Sequence, residues 1–436
     1  VIRLSEQSEL RRFRRYPKYK DSGIEWLGQI PAHWGTTRVA DQSTLINGYP
    51  FDSALFTLDD GMPLVRIRDL HATDTVVRFT GKPVATARIT TGDILIGMDG
   101  DFDVARWQGD DALLNQRMCC VRPRHSISGQ FMFHCLPFPL RIINDLTHST
   151  TVKHLSSFDV KKVAIPLPPD DEQTVVASFI DRETAKIDAL VAKKESLIEL
   201  LQEKRTALIT RAVTRGLDTF TPMRATRSHA FPAVPKDWTL WKLRRVIRQV
   251  KRPIVVEPDT EYQEIGIRSW GKGVFHKDGV RGALLGEKNV FRLEPGDFVL
   301  NIVFAWEGAV AVISGNEAGM VASHRFPTFR SSDEVDLDYL LMVLQSDHGR
   351  RLMEINSPGA AGRNKTLRIG QFLDEELPLP APGMQRAIVA AFRNKEWQLT
   401  ALASRVRQAI DHLNEYRTAL ISAAVTGKID VRNEAA

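Results

Sequence analysis

The segment GIRSWGKG, residues 266–273, has the glycine and lysine spacing of a loop that wraps nucleotide phosphates. Such a loop needs a hydroxyl directly after its lysine to hold magnesium, and here Gly273 follows Lys272. The flanking residues read as a strand turn, not as the start of a helix. The segment is then a plain surface turn, or a loop that turns Arg268 and Lys272 toward phosphate. Zinc chemistry needs clustered ligands at short spacing. Cys119 and Cys120 are adjacent on a predicted strand, so their side chains point to opposite faces. There is no C-x-x-C, H-E-x-x-H or G-x-S-x-G. Pro168–Pro169 is followed by Asp170, without the flanking polar and aromatic residues of a base-methylating site. These patterns point to a chain without covalent chemistry of its own and without a bound metal.

Other residues suit a polyanion. Arg66 and Arg68 are predicted to alternate on one face of a short strand, and Gln116 and Arg117 follow Asn115 at another strand start. The loop HSTTVKHL, 148–155, brings Lys153 and His154. Its counterpart NSPGAAGRNKTL, 356–367, brings Arg363, Asn364 and Lys365. His324 and Arg325 fall near the Gln116–Arg117 position of the second copy, after a four-residue insertion. Loops of this composition approach phosphates with backbone N–H groups and reach base edges with forked side chains. Read singly, each is also an ordinary solvated loop.

What positions these loops is a duplication. EKRTALITRAVTRGLD, 203–218, and EYRTALISAAVTGKID, 415–430, are identical at 10 of 16 positions, 212 residues apart. VAIPLPPDDEQ, 163–173, aligns with EELPLPAPGMQ, 375–385, at the same offset. IPAHWGTTRV, 30–39, and ITTGDILIG, 89–97, align with VPKDWTLWKL, 234–243, and LEPGDFVLN, 293–301, at an offset of 204. Trp34 and Trp238 recur in these matches, which assigns them to cores. The order is globule, helix, globule, helix.

The helical parts carry seven-spaced rows: Ile180, Ile187, Lys194, Leu201 and Leu208 in one copy, Phe392, Leu399, Val406, Leu413 and Leu420 in the other. A neighbouring row adds Leu190, Leu197, Leu402 and Ala409. Such rows mark helices that bury a narrow seam against another helix. Asp170 or Asp171 is a fair N-cap, and Gly216 and Gly427 are natural stops. Roughly 43 residues at ~1.5 Å each give a rod of roughly 65 Å. The fold class expected is α+β: two mixed, strand-rich globules and two long helices pairing as an antiparallel coiled coil. The expected limits are a basic segment over 1–20, globules over 21–165 and 217–378, helices over 170–216 and 382–428, and a tail over 429–436.

The chain has 436 residues and a net charge of +6. Residues 1–20 hold 7 basic and 2 acidic residues, but residues 21–170 hold 14 and 17. Excess positive charge favours a polyanionic partner, and here any basic surface must be local. No apolar run reaches the ~18 residues of a membrane span. Arg11, Arg12, Arg14 and Arg15 are followed by no apolar stretch, so this run does not read as a secretory signal. Three cysteines make no disulfide framework and fit a reducing, cytoplasmic setting.

YKDSGIEWLGQIPAHW (19–34), IPLPPDDEQ (165–173) and the R-T-A-L-I…A-V-T helix ends resemble the specificity subunit of type I DNA restriction–modification enzymes. The resemblance covers almost the whole chain. The second copy departs from it: TRSHAFPAVPKDW, 226–238, lacks the D-S-G-I-E-W-L-G run, and PLPAPGMQ lacks the Glu before Gln385. The resemblance implies two target recognition domains on double-stranded DNA, each reading half of a split, asymmetric site. It implies two modification subunits that methylate adenine with S-adenosylmethionine, and two restriction subunits that use ATP and Mg. Those cofactors belong to the partners. The small, apolar helix ends, Ala207, Leu208, Ala212 and Ala419, Leu420, Ala424, are expected to close the helix pair in part and to dock the methylating partners with the rest. The alternative from the residues alone is a helix-paired protein scaffold that reads no DNA sequence.

Overall fold

Gly92 and Gly296 sit at φ of 92° and 82°, a region open to glycine without strain, and each turns the chain into a strand, Ile94–Gly97 or Phe298–Leu300. The aspartate after each glycine is buried and caps its own turn. Asp93 accepts from the Thr90 amide and Asp297 from the Glu294 amide, both at 2.8 Å. An arginine from a neighbouring strand neutralises each one, Arg122 in the first copy and Arg330 in the second. The GD pairs are thus strand-starting turns.

The computed structural model describes residues 10, 12–146, 153–218, 220–286, 289–359 and 365–434. They form two units, 1–193 with 408–436, and 194–407. Each unit holds a globule, the beginning of its own long helix and the end of the other copy's. The long helices are Asp170–Arg215 and Pro382–Val425.

The globules share one topology. The first has an antiparallel sheet in the order Ser43–Asn47, Met118–Pro123, Ile94–Gly97, Val104–Arg106. The second repeats it as Ile247–Val250, Thr328–Ser331, Phe298–Leu300, Val310–Val312. A second sheet in each contains one parallel pair. Leu113 of Ala112–Leu114 lies opposite Leu64, as Val321 of Val321–Ser323 lies opposite Glu264. The central strands of the first sheet, Ile94–Gly97 and Met118–Pro123, lie between two cores and read as short apolar runs. Ile94, Ile96, Cys119 and Val121 join the core that includes the long helices, while Leu95, Met118 and Cys120 join the core between the sheets. The adjacent cysteines therefore face opposite ways, and burial pushes both thiols well above their usual range.

A two-stranded ribbon joins each globule to its helix, Gly35–Arg38 with Ala164–Leu167 and Thr239–Lys242 with Glu376–Leu379. Beyond it a fully buried glutamine clamps the junction. Gln173 accepts from the Ser128 amide at 2.8 Å and donates to the Pro168 carbonyl at 3.0 Å. Gln385 accepts from the Asp336 amide and donates to the Pro380 carbonyl, both at 2.8 Å.

Within each unit the two helices pack antiparallel, as a coiled coil. In the first, Ile180 and Ile187 share a core with Leu413 and Leu420, and Arg417 binds Asp188 at 3.0 Å. In the second, Leu201 and Val406 are buried, Leu399 is half-buried, and Arg205 Nε donates to Glu396 at 2.9 Å. The neighbouring row is a correction: Leu190, Leu197 and Leu402 are exposed, because a two-helix seam buries only a narrow stripe of each helix. A second correction is at the end of the first helix, where Leu208 is only half-buried while Ile209 and Val213 are fully buried. A straight helix drifts ~20° per heptad against a strict seven-residue row, so the buried face moves on by a residue. Both helices stop at glycines in the left-handed region, Gly216 and Gly427, which lie against Trp238 and Trp34 respectively. Both tryptophans are buried, as their recurrence implies. Residues 338–355 fall in two helices, Leu337–Gln345 and Asp347–Ile355, with Ser346 capping the second.

Candidate nucleic-acid interface

The site residues come together through the ends of the same strands in both units. In the first, the Met98 amide donates to the Arg117 carbonyl at 3.0 Å, and the Leu155 amide donates to the Met98 carbonyl at 2.7 Å. In the second, the Ile302 amide donates to the Arg325 carbonyl at 3.0 Å, and the Leu367 amide donates to the Ile302 carbonyl at 2.8 Å. Arg117 and Arg325 are thus positional equivalents, and so are Lys153 and Lys365, each two residues before the matching leucine. The parallel pair adds a third match. Arg68 and Arg268 both lie four residues beyond the matched Leu64 and Glu264, and both are exposed. Each unit therefore presents two arginines and a lysine at equivalent strand ends. Gln116, His324 and Arg325 are exposed beside them.

The pairings differ. Arg117 donates to Asp99 Oδ2 at 2.5 Å, and His154 Nδ1 lies 2.7 Å from Asp99 Oδ1. Burial raises the Asp99 carboxyl, but the hydrogen bonds from His154 and Arg117 outweigh it, so the group is held below its usual range. Lys153 reaches the Asn144 carbonyl and side-chain oxygens at 2.6 and 3.0 Å. Lys365 binds Glu354 at 3.0 Å and lies 4.6 Å above the Trp306 ring. Arg363 and Asn364 lie outside the described residues, as does most of the loop before Lys153.

Two placements correct the sequence expectation. Arg66 and Arg68 do not share a strand face: the strand ends at Val65 and a 3-10 turn covers Ile67–Asp69. Asp69 takes the Arg66 amide at 3.1 Å and its Nε at 3.0 Å, so Arg66 is tied down and only Arg68 is exposed. The segment over 266–273 is the turn of a hairpin between Glu261–Ile267 and Val274–Arg281. Its glycines Gly271 and Gly273 have positive φ, Lys272 is exposed, and Arg268 covers the Phe275 ring at 5.1 Å.

Sequence reasoning passed over Asp99 and Trp270. Asp99 was one acid among several in DGDFD, 99–103. Trp270 is exposed at the hairpin tip with φ of 63°, rare for a bulky residue, and is held by a 2.8 Å bond from its amide to the Glu307 carbonyl. Its only signal in the sequence was a tryptophan set between turn residues.

Beneath each globule a cleft opens against the helices. One of about 720 Å³ is lined by His71, Asp103, His134, Asp181 and Arg417, and one of about 1100 Å³ by Trp270, Lys272, Arg350, Arg205 and Glu396. Both mix acids with bases. In the first, His134 donates toward Asp181 at 2.7 Å, and burial outweighs that carboxylate to keep the imidazole below its usual pKa. Among the described residues no three His, Cys, Asp or Glu side chains are placed to hold a metal, and no helix is long and apolar enough to cross a membrane.

The chain is thus a duplication in which each unit carries a strand-rich globule with exposed cations and an antiparallel pair of long helix segments. Residues 31–200 match the family described as type I restriction modification DNA specificity domain. Through that match and the relatives that follow, the chain is similar to the specificity subunits of type I restriction–modification enzymes. It is 32% identical over 253 residues to the type I restriction enzyme EcoBI specificity subunit of Escherichia coli, a match over 56% of this chain and 53% of that one. The chain thus spans about half the length of that relative. It is 20% identical to the MjaVIII specificity subunit of Methanocaldococcus jannaschii over 95% of this chain and 98% of the other. The fold is shared, with a TM-score of 0.60 at 18% identity, with a chain solved in work on complex assembly and conformational transition of the type I R-M system, over 91% and 98% of the two chains.

Proposed function

We propose that this chain is the non-catalytic DNA-recognition subunit of a type I restriction–modification complex, acting in the cytoplasm. Each unit reads one half of a bipartite, asymmetric site on double-stranded DNA. The observation that carries this is the equivalent placement of Arg68, Arg117 and Lys153 with Arg268, Arg325 and Lys365 at matching strand ends. Identical backbone sites with different neighbours are what two readers of different sequences require. Linking two weak readers raises the effective concentration of the second once the first is bound. The expected target domains remain 21–165 and 217–378.

The chain brings no cofactor. Two modification subunits supply adenine methylation from S-adenosylmethionine, and two restriction subunits supply ATP- and Mg-dependent cleavage. At the end of the second helix Ala419, Leu420 and Ala424 are buried, which suits the part of that face that closes the helix pair. The exposed apolar residues Leu197, Leu200, Trp397 and Leu402 offer a docking surface for the methylating partners. The test is a genome-wide map of methylated adenine in cells with and without the gene. A single split motif should vanish with it. Leu200→Asp with Trp397→Asp should erase the same motif while the chain stays folded. Unchanged methylation in the deletion strain would refute the assignment.

A further inference from the structure

Arg117 and Arg325 occupy one backbone position but have different neighbours. Met98 and Ile302 are equivalent through their bonds to these arginines, so the next residues, Asp99 and Val303, are equivalent too. Asp99 is 14% exposed, and Arg117, which it binds through Nη1, is 63% exposed. That bond fixes one corner of the guanidinium and leaves Nε and Nη2 without partners among the described residues. The free edge is a pair of parallel donors, the geometry that matches O6 and N7 of guanine. The second Asp99 oxygen faces His154 Nδ1, which keeps the proton on that nitrogen and leaves Nε2 outward as an acceptor when the ring is neutral. Val303 holds no arginine, and Arg325 is exposed with no ion pair among the described residues. An exposed cation without a neighbouring carboxylate to orient it suits phosphate, which carries no sequence information.

Resting on the DNA-reading assignment above, we propose that Asp99 is a positioning residue that presents Arg117 as a fork to one guanine in the half-site of the first unit. Arg325 instead contacts phosphate without base preference. The two heads thus use one equivalent arginine for two different tasks, and the residue that decides between them is the one just after Met98 or Ile302.

The experiment is selection from a pool of randomised duplexes by the complex of the full chain with its methylating partners, followed by sequencing. Arg117→Lys keeps the charge and removes the fork. It should relax preference at a single guanine by about 5- to 150-fold, the range of one bidentate pair. Asp99→Val, which installs the second unit's residue, should relax the same position. Arg325→Lys should leave every base preference unchanged. The proposal is overturned if Arg117→Lys retains the guanine, if its losses spread evenly over the site, if folded Asp99→Val selects like wild type, or if Arg325→Lys relaxes one base. Should Asp99→Val melt early, Arg117→Lys decides alone, because its side chain lies at the surface. A wild-type complex that selects no sequence refutes the DNA-reading assignment instead, a result distinct from any of these.

Discussion

The first and second units share a backbone plan, but the junction of globule and helix is held by different chemistry. Both have the buried glutamine, Gln173 or Gln385, bonded to a proline carbonyl and to the N-cap amide of a globule helix, Gly129–Cys135 or Leu337–Gln345. One residue earlier they part. Glu172 is buried and takes Trp34 Nε1 at 2.7 Å, His33 Nε2 at 2.7 Å and the Tyr16 hydroxyl at 3.3 Å, with Arg432 at 3.5 Å. Its counterpart Met384 is exposed. A step along the helix inverts the charge. Asp181 holds His134 and Gln130, whereas Arg393 at the equivalent place binds Asp338 at 2.6 Å. The backbone-directed glutamine is needed wherever the ribbon meets a helix, whereas side-chain-to-side-chain pairs are free to change together. The duplication thus fixes where loops emerge and leaves open what they carry.

The strongest way to break this comparison is at Glu172. Removing its carboxylate leaves the buried Trp34 indole and Tyr16 hydroxyl without an acceptor, and each unsatisfied buried group costs about 1–3 kcal/mol. Glu172→Ala should therefore destabilise the first unit by roughly 2–4 kcal/mol. Met384→Ala, at an exposed site, should stay within about 0.5 kcal/mol. Urea melts of the two variants check this, and equal losses would show that the junctions are alike after all.

A smaller effect is expected at the proposed DNA face. Lys153→Ala, His154→Ala, Arg363→Ala and Lys365→Ala should each weaken binding to the cognate duplex by a few-fold. A lost phosphate contact should also lower the salt slope by ~0.9. Lys153 and Lys365 are the sharper pair, because they are equivalent positions with different anchors, Asn144 and Glu354. The Glu354 carboxylate must be displaced before Lys365 can bind phosphate, so Lys153→Ala should cost more. Titrations at several salt concentrations measure both quantities, and wild-type behaviour in all four variants would remove these loops from the interface.

How much of this the sequence carried depended on the range of each interaction. Seven-spaced rows are local and periodic, so the helices and their seam were legible over Ile180 to Leu420. The drift that buries Ile209 and half-exposes Leu208 was not, since it depends on the true helical pitch. The strand-starting role of Gly92–Asp93 and Gly296–Asp297 was local and legible. That Asp93 and Asp297 are neutralised by Arg122 and Arg330 was not, because those partners come from other strands. The absence of a Glu before Gln385 was visible in the text. Its weight was not, because the Tyr16, His33 and Trp34 partners of Glu172 lie 138 to 156 residues away. Arg68 and Arg268 were each singled out from the sequence. Their equivalence appears only through the parallel pairs Leu64–Leu113 and Glu264–Val321, since insertions move the offset between copies.

The finest test of the difference is acid. His134 lies six residues after the cap Ser128, and Met342 lies six after the cap Asp336, so only the first unit buries an imidazole at this place. Burial lowers the His134 pKa, while Asp181 at 2.7 Å opposes it and Arg417 and Arg106 add to the lowering. A depressed folded value means that the unfolded chain binds the proton more readily. The stabilising contribution is then complete above the unfolded value of about 6.5 and is lost as pH falls through the lower folded value. The slope for one proton does not exceed about 1.4 kcal/mol per pH unit. Thermal melts from pH 7.5 to 5 should show this loss in wild type. His134→Met, the second unit's solution, should flatten it, provided Asp181→Asn is made with it so that no carboxylate is left beside an apolar side chain. A wild-type melt that does not move over this range, or a double variant that moves as much, would show that the imidazole–carboxylate pair does not make the first unit acid-sensitive.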